Sequence, residues 1–419
     1  MISPLQNSVK PSANALAPEL ELLISCARTQ VLPKTAERIK ALIHQGIHWT
    51  DLLDQASQHN LRILLYHSLK STCQEQVPPE ILGQLRADFY HNVLWSQGIS
   101  IELLKVLDLF KQQDIPVIPY KGPILAAIIY GDIALRSFDD LDLLLQWQDY
   151  LKPRSLLLSQ GYQPHDHLDE YPTEADCIRA SQDFGEYMMY RDADGICLDI
   201  HGRLASIDSF FLAADFSSFW NRLQPVTLIY KTVQSFCPED LLLYLCVSGV
   251  RDGWVSLRSI CDVAELVRNH PQLDWTHIIQ EAKKLRVQRM LYLGLLLAHQ
   301  ILDLDLPLQI AQLAIADSTA QKLAKQLKQQ IMGDRPQFGT TPSLEKFQFH
   351  LATMQTQQDQ LRFCLGLVRR ALQFSVRPNL KDHAFLPLPP VLHFLYLFLR
   401  PLRLFKDHGI NVFKLIFPV

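Results

Sequence analysis

The chain has 419 residues, of which 48% are hydrophobic and 20% are charged. This composition is typical of a globular protein with a sizeable core, and it argues against a disordered chain. The formal net charge of -3 provides no overall positive field of the kind that holds proteins on nucleic acid, so no nucleic-acid partner is predicted.

The cysteine spacing and the apolar runs indicate the compartment. The eight cysteines include no C-x-x-C pair, so reduced thiols are predicted. Residues 1–20 lack the basic region, apolar run and cleavage site of a secretory signal. The longest apolar stretch, residues 391–399, is shorter than the ~20 residues that a membrane-spanning helix needs. We therefore predict a cytoplasmic protein with no transmembrane segment.

Helical periodicity dominates the first quarter of the chain. Between about residues 20 and 112, apolar side chains recur at the three- and four-residue spacing of amphipathic helices. The pattern changes at Ile115, where a short apolar run predicts a buried strand. Lys121 and Gly122 then predict a turn, and Pro123 predicts the first turn of a helix that continues to Tyr130.

Short segments with strand-like alternation follow, and they predict a mixed sheet within residues 113–232. A helix is predicted from Lys152 to Gln160, before an acidic loop that contains His165 and His167. These two histidines resemble metal ligands, but a solvated loop is the preferred interpretation.

Helical spacing returns after Pro238 and continues to about Gly333. The remaining tail is rich in glutamine, then in proline, and ends in a basic and apolar segment. This segment would suit the surface of an anionic membrane, although a packed terminal helix is the preferred interpretation. Its cations are Arg400, Arg403, Lys406 and Lys414.

These patterns predict an α+β fold, with a small mixed-sheet core flanked by N-terminal and C-terminal helical regions. The predicted divisions are an N-terminal helical domain over residues 1–112, a sheet core over 113–232, a helical domain over 233–333, and a C-terminal tail with helical segments over 334–419.

A pair of carboxylates marks the candidate site. Asp140 and Asp142 are two residues apart in a predicted strand, so they project from the same face, while Leu141 and Leu143 face the opposite side. Two like charges so close together are most readily kept ionised by a divalent cation or by strong hydrogen bonds. Magnesium is the predicted cation, with manganese as the second choice.

A third carboxylate, Asp199, lies between apolar residues in a later strand-like run, and His201 shares its face. If the two strands are neighbours, the three acids can hold two metal ions about 3.5–4 Å apart. One ion would contact a triphosphate and the other would activate an acceptor hydroxyl. Asp199 would then be the candidate base.

Two basic groups precede the acid pair. Lys121 and Gly122 form the predicted turn from a strand to a helix, where backbone N–H groups can approach a phosphate closely. Arg136 could bind the transferred phosphoryl group, or it could simply pair with Asp132 or Asp139.

The order of these motifs carries a resemblance to a known family. The segments are KGPILAAIIYGDIALRSFDDLDLLL, residues 121–145, and LDIHGRL, residues 198–204. They resemble the bacterial family of uncharacterised or putative nucleotidyltransferases, within the superfamily of the DNA polymerase beta type. The resemblance extends over residues 48–71 and 254–267, and so over most of the chain from about Leu20.

This resemblance implies that residues 113–232 are a nucleotidyltransferase core. It would use a nucleoside triphosphate such as ATP and a divalent metal, and it would transfer a nucleoside monophosphate to an unknown acceptor, with release of pyrophosphate. The residues that the resemblance places in the site are Lys121, Gly122, Arg136 and His201 for the nucleotide, and Asp140, Asp142 and Asp199 for metal and catalysis.

The sequence departs from the family pattern at three positions. Pro123 stands where the superfamily usually has serine or a second glycine, and Ser248 and Asp252 stand where histidines are expected.

Two alternatives are weighed against an active transferase. In the first, the same fold is a catalytically silent module that binds a nucleotide or a partner protein; the retention of all three acids argues against it. In the second, the chain is a metal-assisted phosphohydrolase, but the usual histidine-aspartate pair of such enzymes is not visible in the sequence.

Overall fold

The computed structural model describes residues 17–165, 178, 181, 182, 185–204, 216–333, 344–376 and 380–408. Two of the residues discussed above, His167 and Lys414, lie outside the described residues.

Five helices form the N-terminal region, as the apolar spacing predicts. Each of the first, second and fifth helices has proline in its first turn, where the missing N–H costs no hydrogen bond. The helices are α1 (Pro18–Cys26), α2 (Pro33–Gln45), α3 (Trp49–Gln58), α4 (Arg62–Thr72) and α5 (Pro79–Lys111).

In the described residues of the segment that follows, five strands form a mixed sheet, and helices lie in two of its connections. Its elements are β1 (Val117–Pro119), α6 (Gly122–Tyr130), β2 (Asp140–Leu145), α7 (Pro153–Ser159), β3 (Gln163–His165), β4 (Glu186–Arg191) and β5 (Ile196–His201). The strand order is β1-β2-β5-β4-β3. β2 and β5 run parallel, whereas the other neighbours are antiparallel.

The prediction of a loop at His165 is wrong. This residue lies in β3, where it is in register with Met188 of β4. The pairing with β4 supplies the backbone hydrogen bonds that the local polar sequence does not reveal.

A separate hairpin follows the main sheet. It consists of β6 (Gln224–Leu228) and β7 (Lys231–Ser235), which pair with each other and with no other strand that the structure describes. The hydroxyl of Ser235 donates to the carbonyl of Pro119 at 2.7 Å, so the hairpin is attached beside β1.

Ten more helices complete the part of the chain that the structure describes. They are α8 (Pro238–Asp252), α9 (Leu257–Asn269), α10 (Trp275–Leu285), α11 (Gln288–Leu302), α12 (Leu308–Ala316), α13 (Ser318–Met332), α14 (Leu344–Thr353), α15 (Gln357–Val376), α16 (Leu380–Phe385) and α17 (Tyr396–His408). The predicted α+β class, a small mixed sheet with helical flanks, is confirmed.

One hydrophobic cluster joins the N-terminal helices to the helices after Pro238. Across this contact, the carboxylate of Glu265 in α9 accepts a hydrogen bond from the backbone N–H of Thr29 at 2.8 Å. The division into four domains stays a prediction, and residues from all four of the predicted divisions contribute to this cluster. None of the described helices combines the length and the apolar character required to cross a bilayer.

His59 connects the end of α3 to the start of α9. Its Nδ1 atom accepts from the backbone N–H of Leu257 at 3.4 Å, and its carbonyl accepts from the hydroxyl of Ser256 at 2.8 Å. The side chain is buried, and burial lowers the pKa of His59 to about 4.

This pKa predicts that the protein loses stability on acidification. Between about pH 6.5 and pH 4, the unfolded chain binds a proton at His59 that the folded chain does not, so the free energy of unfolding falls as the pH falls, by about 1–3 kcal/mol. His59→Asn keeps an acceptor near the position of Nδ1 but cannot titrate, so the change should be smaller in this variant.

Urea unfolding of both proteins at several pH values in this window measures the difference. His44→Asn, at an exposed position of α2, is the matched control and should behave like the wild type. Equal pH slopes for His59→Asn and the wild type would contradict the prediction.

Candidate active site

The parallel pairing of β2 with β5 creates the site. In this register Asp142 lies directly opposite Asp199, and Leu141 lies opposite Leu198. Leu141 and Leu198 are buried in the core on the other face of the sheet, so the alternation of each strand turns its acid toward the same cleft. A site built from acids of both strands requires β2 and β5 to be neighbours, and they are.

His201 lies between the carboxylates. Its Nε2 atom is 3.2 Å from Oδ1 of Asp142 and 3.1 Å from Oδ2 of Asp199. Its Nδ1 atom is 3.3 Å from Oε2 of Glu186, which is in register with His201 on the neighbouring strand β4. The imidazole is thus fixed from both sides, as in sites where a carboxylate orients a histidine.

Lys121 supplies a second positive charge, because its ammonium group contacts Oδ1 of Asp142. Burial alone would raise the pKa of Asp142, but Lys121 and His201 hold that pKa below its usual range. Burial likewise opposes the charged form of His201, yet Asp199, Asp142 and Glu186 hold its pKa well above the ordinary value. The buried acid is therefore ionised and paired.

Three side chains together fit a divalent cation. One ligand atom from each of Asp142, Asp199 and His201 can be chosen so that all three lie within 4.8 Å of one another. Oδ2 of Asp142 and Oδ1 of Asp199 are buried and have no hydrogen-bond partner among the described residues. Two such carboxylate oxygens are ligands that magnesium and manganese prefer, and an imidazole that loses its proton when the metal binds suits manganese better than magnesium.

Asp140 is less closely associated with this group than the sequence indicates. It lines the same cavity as Asp142, but it is not one of the three residues whose ligand atoms converge. Burial raises the pKa of Asp140 to about 6, and the negative charge of Asp142 adds to the effect. The structure therefore brings Asp142 and Asp199 together across two strands, and the assignment of Asp140 to the metal stays a prediction.

Gly122 brings the turn against the sheet. Its φ of +54° belongs to the left-handed region, and a Cβ atom at this position would lie 2.9 Å from the backbone oxygen of Asp140. Glycine is therefore required both by the backbone conformation and by the close approach to β2. This packing places Lys121 beside Asp142 and points the N-terminus of α6 into the cleft.

Arg136 takes a partner that the sequence did not indicate. Its side chain is 10% exposed, and its guanidinium forms two hydrogen bonds of 3.0 Å to the carboxylate of Asp262 in α9. Asp262 also accepts from the hydroxyl of Tyr130 at 2.7 Å. The proposed pairing of Arg136 with Asp132 or Asp139 is wrong, since Asp132 instead accepts from the backbone N–H of Ala134.

A cavity of about 240 Å³ lies beside the acids. Its walls come from the turn, from the segment leading into β2, and from α8 and α9. The charged residues on its walls are Lys121, Arg136, Arg251 and Arg258, and Asp139, Asp140, Asp142, Asp252 and Asp262. Because five carboxylates accompany the four cations, a polyanionic ligand would depend on the cations that these acids leave unpaired and on a bound metal ion.

Sequence reasoning missed several of these residues. Glu186 lies in a segment that was predicted as a strand, but its position beside His201 depends on a register that a single sequence does not reveal. Arg258 and Asp262 are four residues apart on α9, and this spacing indicates that they share one face of the helix. The sequence around α9 does not indicate that this helix face packs beside β2 and its acids.

Comparison with known proteins agrees with the geometry. A family model described as uncharacterised nucleotidyltransferase matches residues 45–303, which is more than half of the chain. The chain belongs to this family. The matched range includes every residue that lines the cavity. No curated protein and no solved structure is similar enough to give a significant match.

The opposed carboxylates predict binding of Mn²⁺ in the absence of nucleotide. Asp142→Asn and Asp199→Asn should each weaken the affinity at least about tenfold, because each removes a negative charge and a ligand oxygen. Isothermal titration calorimetry with Mn²⁺ alone measures the effect.

Asp139→Asn is the matched control, because Asp139 is exposed just before β2, outside the converging group. It should change the affinity by less than about threefold. If Asp142→Asn and Asp199→Asn both bind Mn²⁺ with wild-type affinity, and circular dichroism shows that both are folded, the proposed metal site is wrong.

Proposed function

We propose that the chain transfers a nucleoside monophosphate from a nucleoside triphosphate, ATP being the first to test, to an acceptor, with release of pyrophosphate. The mechanism would be the two-metal carboxylate type. The observation that carries this proposal is the position of Asp142 opposite Asp199 on two parallel strands, beside a glycine turn and a cavity lined by cations.

Asp142 and Asp199 would hold one of the two divalent cations, Mg²⁺ or Mn²⁺, with Asp140 at the edge of the same cavity. When bound there, the cation would neutralise charge on the donor phosphates and make an acceptor hydroxyl more acidic. Glu186 and His201 are positioning residues in this proposal. Their contact orients the imidazole that lies against both acids.

The turn would bind the phosphates of the donor. The backbone N–H groups at the N-terminus of α6 face the cavity at Gly122, and the ammonium group of Lys121 lies beside them. A helix N-terminus and a lysine together stabilise phosphate through N–H dipoles and charge. Pro123 has no N–H and no hydroxyl, so Gly122 and Lys121 carry this contact.

Asp199 is the candidate base for the acceptor. Its Oδ2 atom meets His201, whereas its Oδ1 atom has no hydrogen-bond partner among the described residues. If Oδ1 binds the cation, Oδ2 is the oxygen left to accept the proton of a hydroxyl group as that group attacks the α-phosphorus. Most of the rate enhancement would come from positioning and from charge stabilisation, as in other phosphoryl transfers.

One observation favours the catalytically silent alternative. Lys121 and His201 both contact the same oxygen of Asp142, so the chain itself neutralises this acid without a cation. A binding module with such a site would bind nucleotide equally well with and without metal, and it would release no product. Calorimetry with ATP in the presence of either Mg²⁺ or a chelator separates the two functions.

The proposal predicts Mg²⁺-dependent consumption of ATP and release of pyrophosphate in the presence of a panel of hydroxyl-bearing small molecules and proteins. Asp142→Ala and Asp199→Ala should each reduce the rate by at least about a hundredfold, as expected for groups that stabilise charge in the transition state. Asp140→Ala should also reduce it. A coupled pyrophosphate assay, with chromatography of the nucleotide products, gives the rates.

Asp192→Ala, in the exposed turn between β4 and β5 and outside the cavity lining, controls for the loss of a negative charge and should stay close to the wild-type rate. Undiminished activity in Asp140→Ala and Asp142→Ala would contradict the assignment of the acids. Release of inorganic phosphate instead of pyrophosphate would show a phosphohydrolase.

A further inference from the structure

One cation of the cavity lacks an acidic partner. Arg258, in the first turn of α9, lines the cavity and is half-buried. Its guanidinium donates one hydrogen bond, of 3.1 Å, to the carbonyl of Ser137. No carboxylate among the described residues lies within ion-pairing distance of this guanidinium. A neutral carbonyl is a weak partner for a charge that has lost part of its hydration.

The nearest acidic group on the same helix is already occupied. Both oxygens of Asp262 accept from Arg136, and one of them also accepts from Tyr130. Arg136 is therefore neutralised within the protein, whereas Arg258 is not. Of these two arginines, Arg258 is the one that remains available to an anion.

The surroundings of Arg258 disfavour its charge in the free protein. Burial lowers the pKa of Arg258, and the positive charge of Arg136 lowers it further. The charges of Asp262 and Asp139 offset part of this effect, but among the described residues neither forms an ion pair with Arg258, so an incoming anion would stabilise the charged guanidinium.

The backbone adds a second, independent attraction for anions. Gly122 at the start of α6 and Arg258 at the start of α9 both line the cavity, so two helix N-termini border it. The first N–H groups of α9 are already bound by His59 and Ser256, whereas the N-terminus of α6 has no side-chain cap, so α6 provides the attraction for an anion. The acids of β2 and β5 provide the opposite charge in the same cleft.

We propose that Arg258 binds the terminal phosphate of the donor and makes the site select a nucleoside triphosphate over the corresponding diphosphate. This inference rests on the proposed function, which supplies the nucleotide. Arg136 acts differently: its contact with Asp262 positions α9 and thereby the guanidinium of Arg258. A planar guanidinium can donate two parallel hydrogen bonds to phosphate oxygens, which a lysine cannot do.

The test compares the affinities of the α,β-methylene analogue of ATP and of ADP, each with Mg²⁺, by calorimetry. The wild type should bind the triphosphate about ten- to a hundredfold more tightly than the diphosphate, the range expected for charge-assisted hydrogen bonds. Arg258→Gln should remove most of this preference and change the diphosphate affinity by less than about threefold. Arg258→Lys should keep an intermediate preference.

Arg86→Gln is the matched control, since Arg86 is exposed on α5 and its substitution changes the net charge equally. It should leave both affinities unchanged. Thermal unfolding without nucleotide provides a second readout. Arg258→Gln should be at least as stable as the wild type, because it removes the repulsion from Arg136, but the triphosphate should no longer raise its midpoint by the wild-type amount.

The outcomes distinguish the two proposals. If the wild type binds neither nucleotide, the proposed function fails and this inference fails with it. If the wild type prefers the triphosphate and Arg258→Gln retains that preference, only the role of Arg258 is overturned. An equal loss of affinity for both nucleotides in Arg258→Gln would also overturn it, because the arginine would then act on the whole cavity instead of on the terminal phosphate.

Discussion

The parallel pairing of β2 with β5 is the constraint on which the site depends. It places two carboxylates, Asp142 and Asp199, side by side where the sheet is largely shielded from water. Their repulsion has to be offset, and the chain does so with His201 between them and Lys121 against one of them. Gly122 permits this arrangement, since any side chain there would separate the turn from β2.

The helices after the hairpin complete the site as well as cover it. α8 and α9 form one side of the cavity, and α9 contributes both the acid that holds Arg136 and Arg258, which has no acidic partner in the described part of the chain. α9 is in turn fixed by the N-terminal helices, through His59 at its start and Glu265 near its end. The cavity therefore requires regions that the sequence alone would assign to three different domains.

Part of this structure was predictable because it is local. Strand alternation puts Asp140 and Asp142 on one face, and the glycine turn and helix α6 follow from residues next to each other in the chain. Pairing between distant strands is not local. Only the register of β5 with β2 and β4 shows that Asp199 opposes Asp142 and that Glu186 orients His201. The partner of Arg136 was missed for the same reason, since Asp262 is 126 residues away in the chain.

The central claim is that Asp142 and Asp199 hold one divalent cation between them. Crystals grown with Mn²⁺ and a non-hydrolysable triphosphate analogue, with diffraction measured at the manganese absorption edge, test it directly. We predict an anomalous peak in contact with one carboxylate oxygen of each residue, beside the nucleotide phosphates. An ordered nucleotide in the cavity with no peak at these two acids, or with manganese bound only elsewhere, would contradict it.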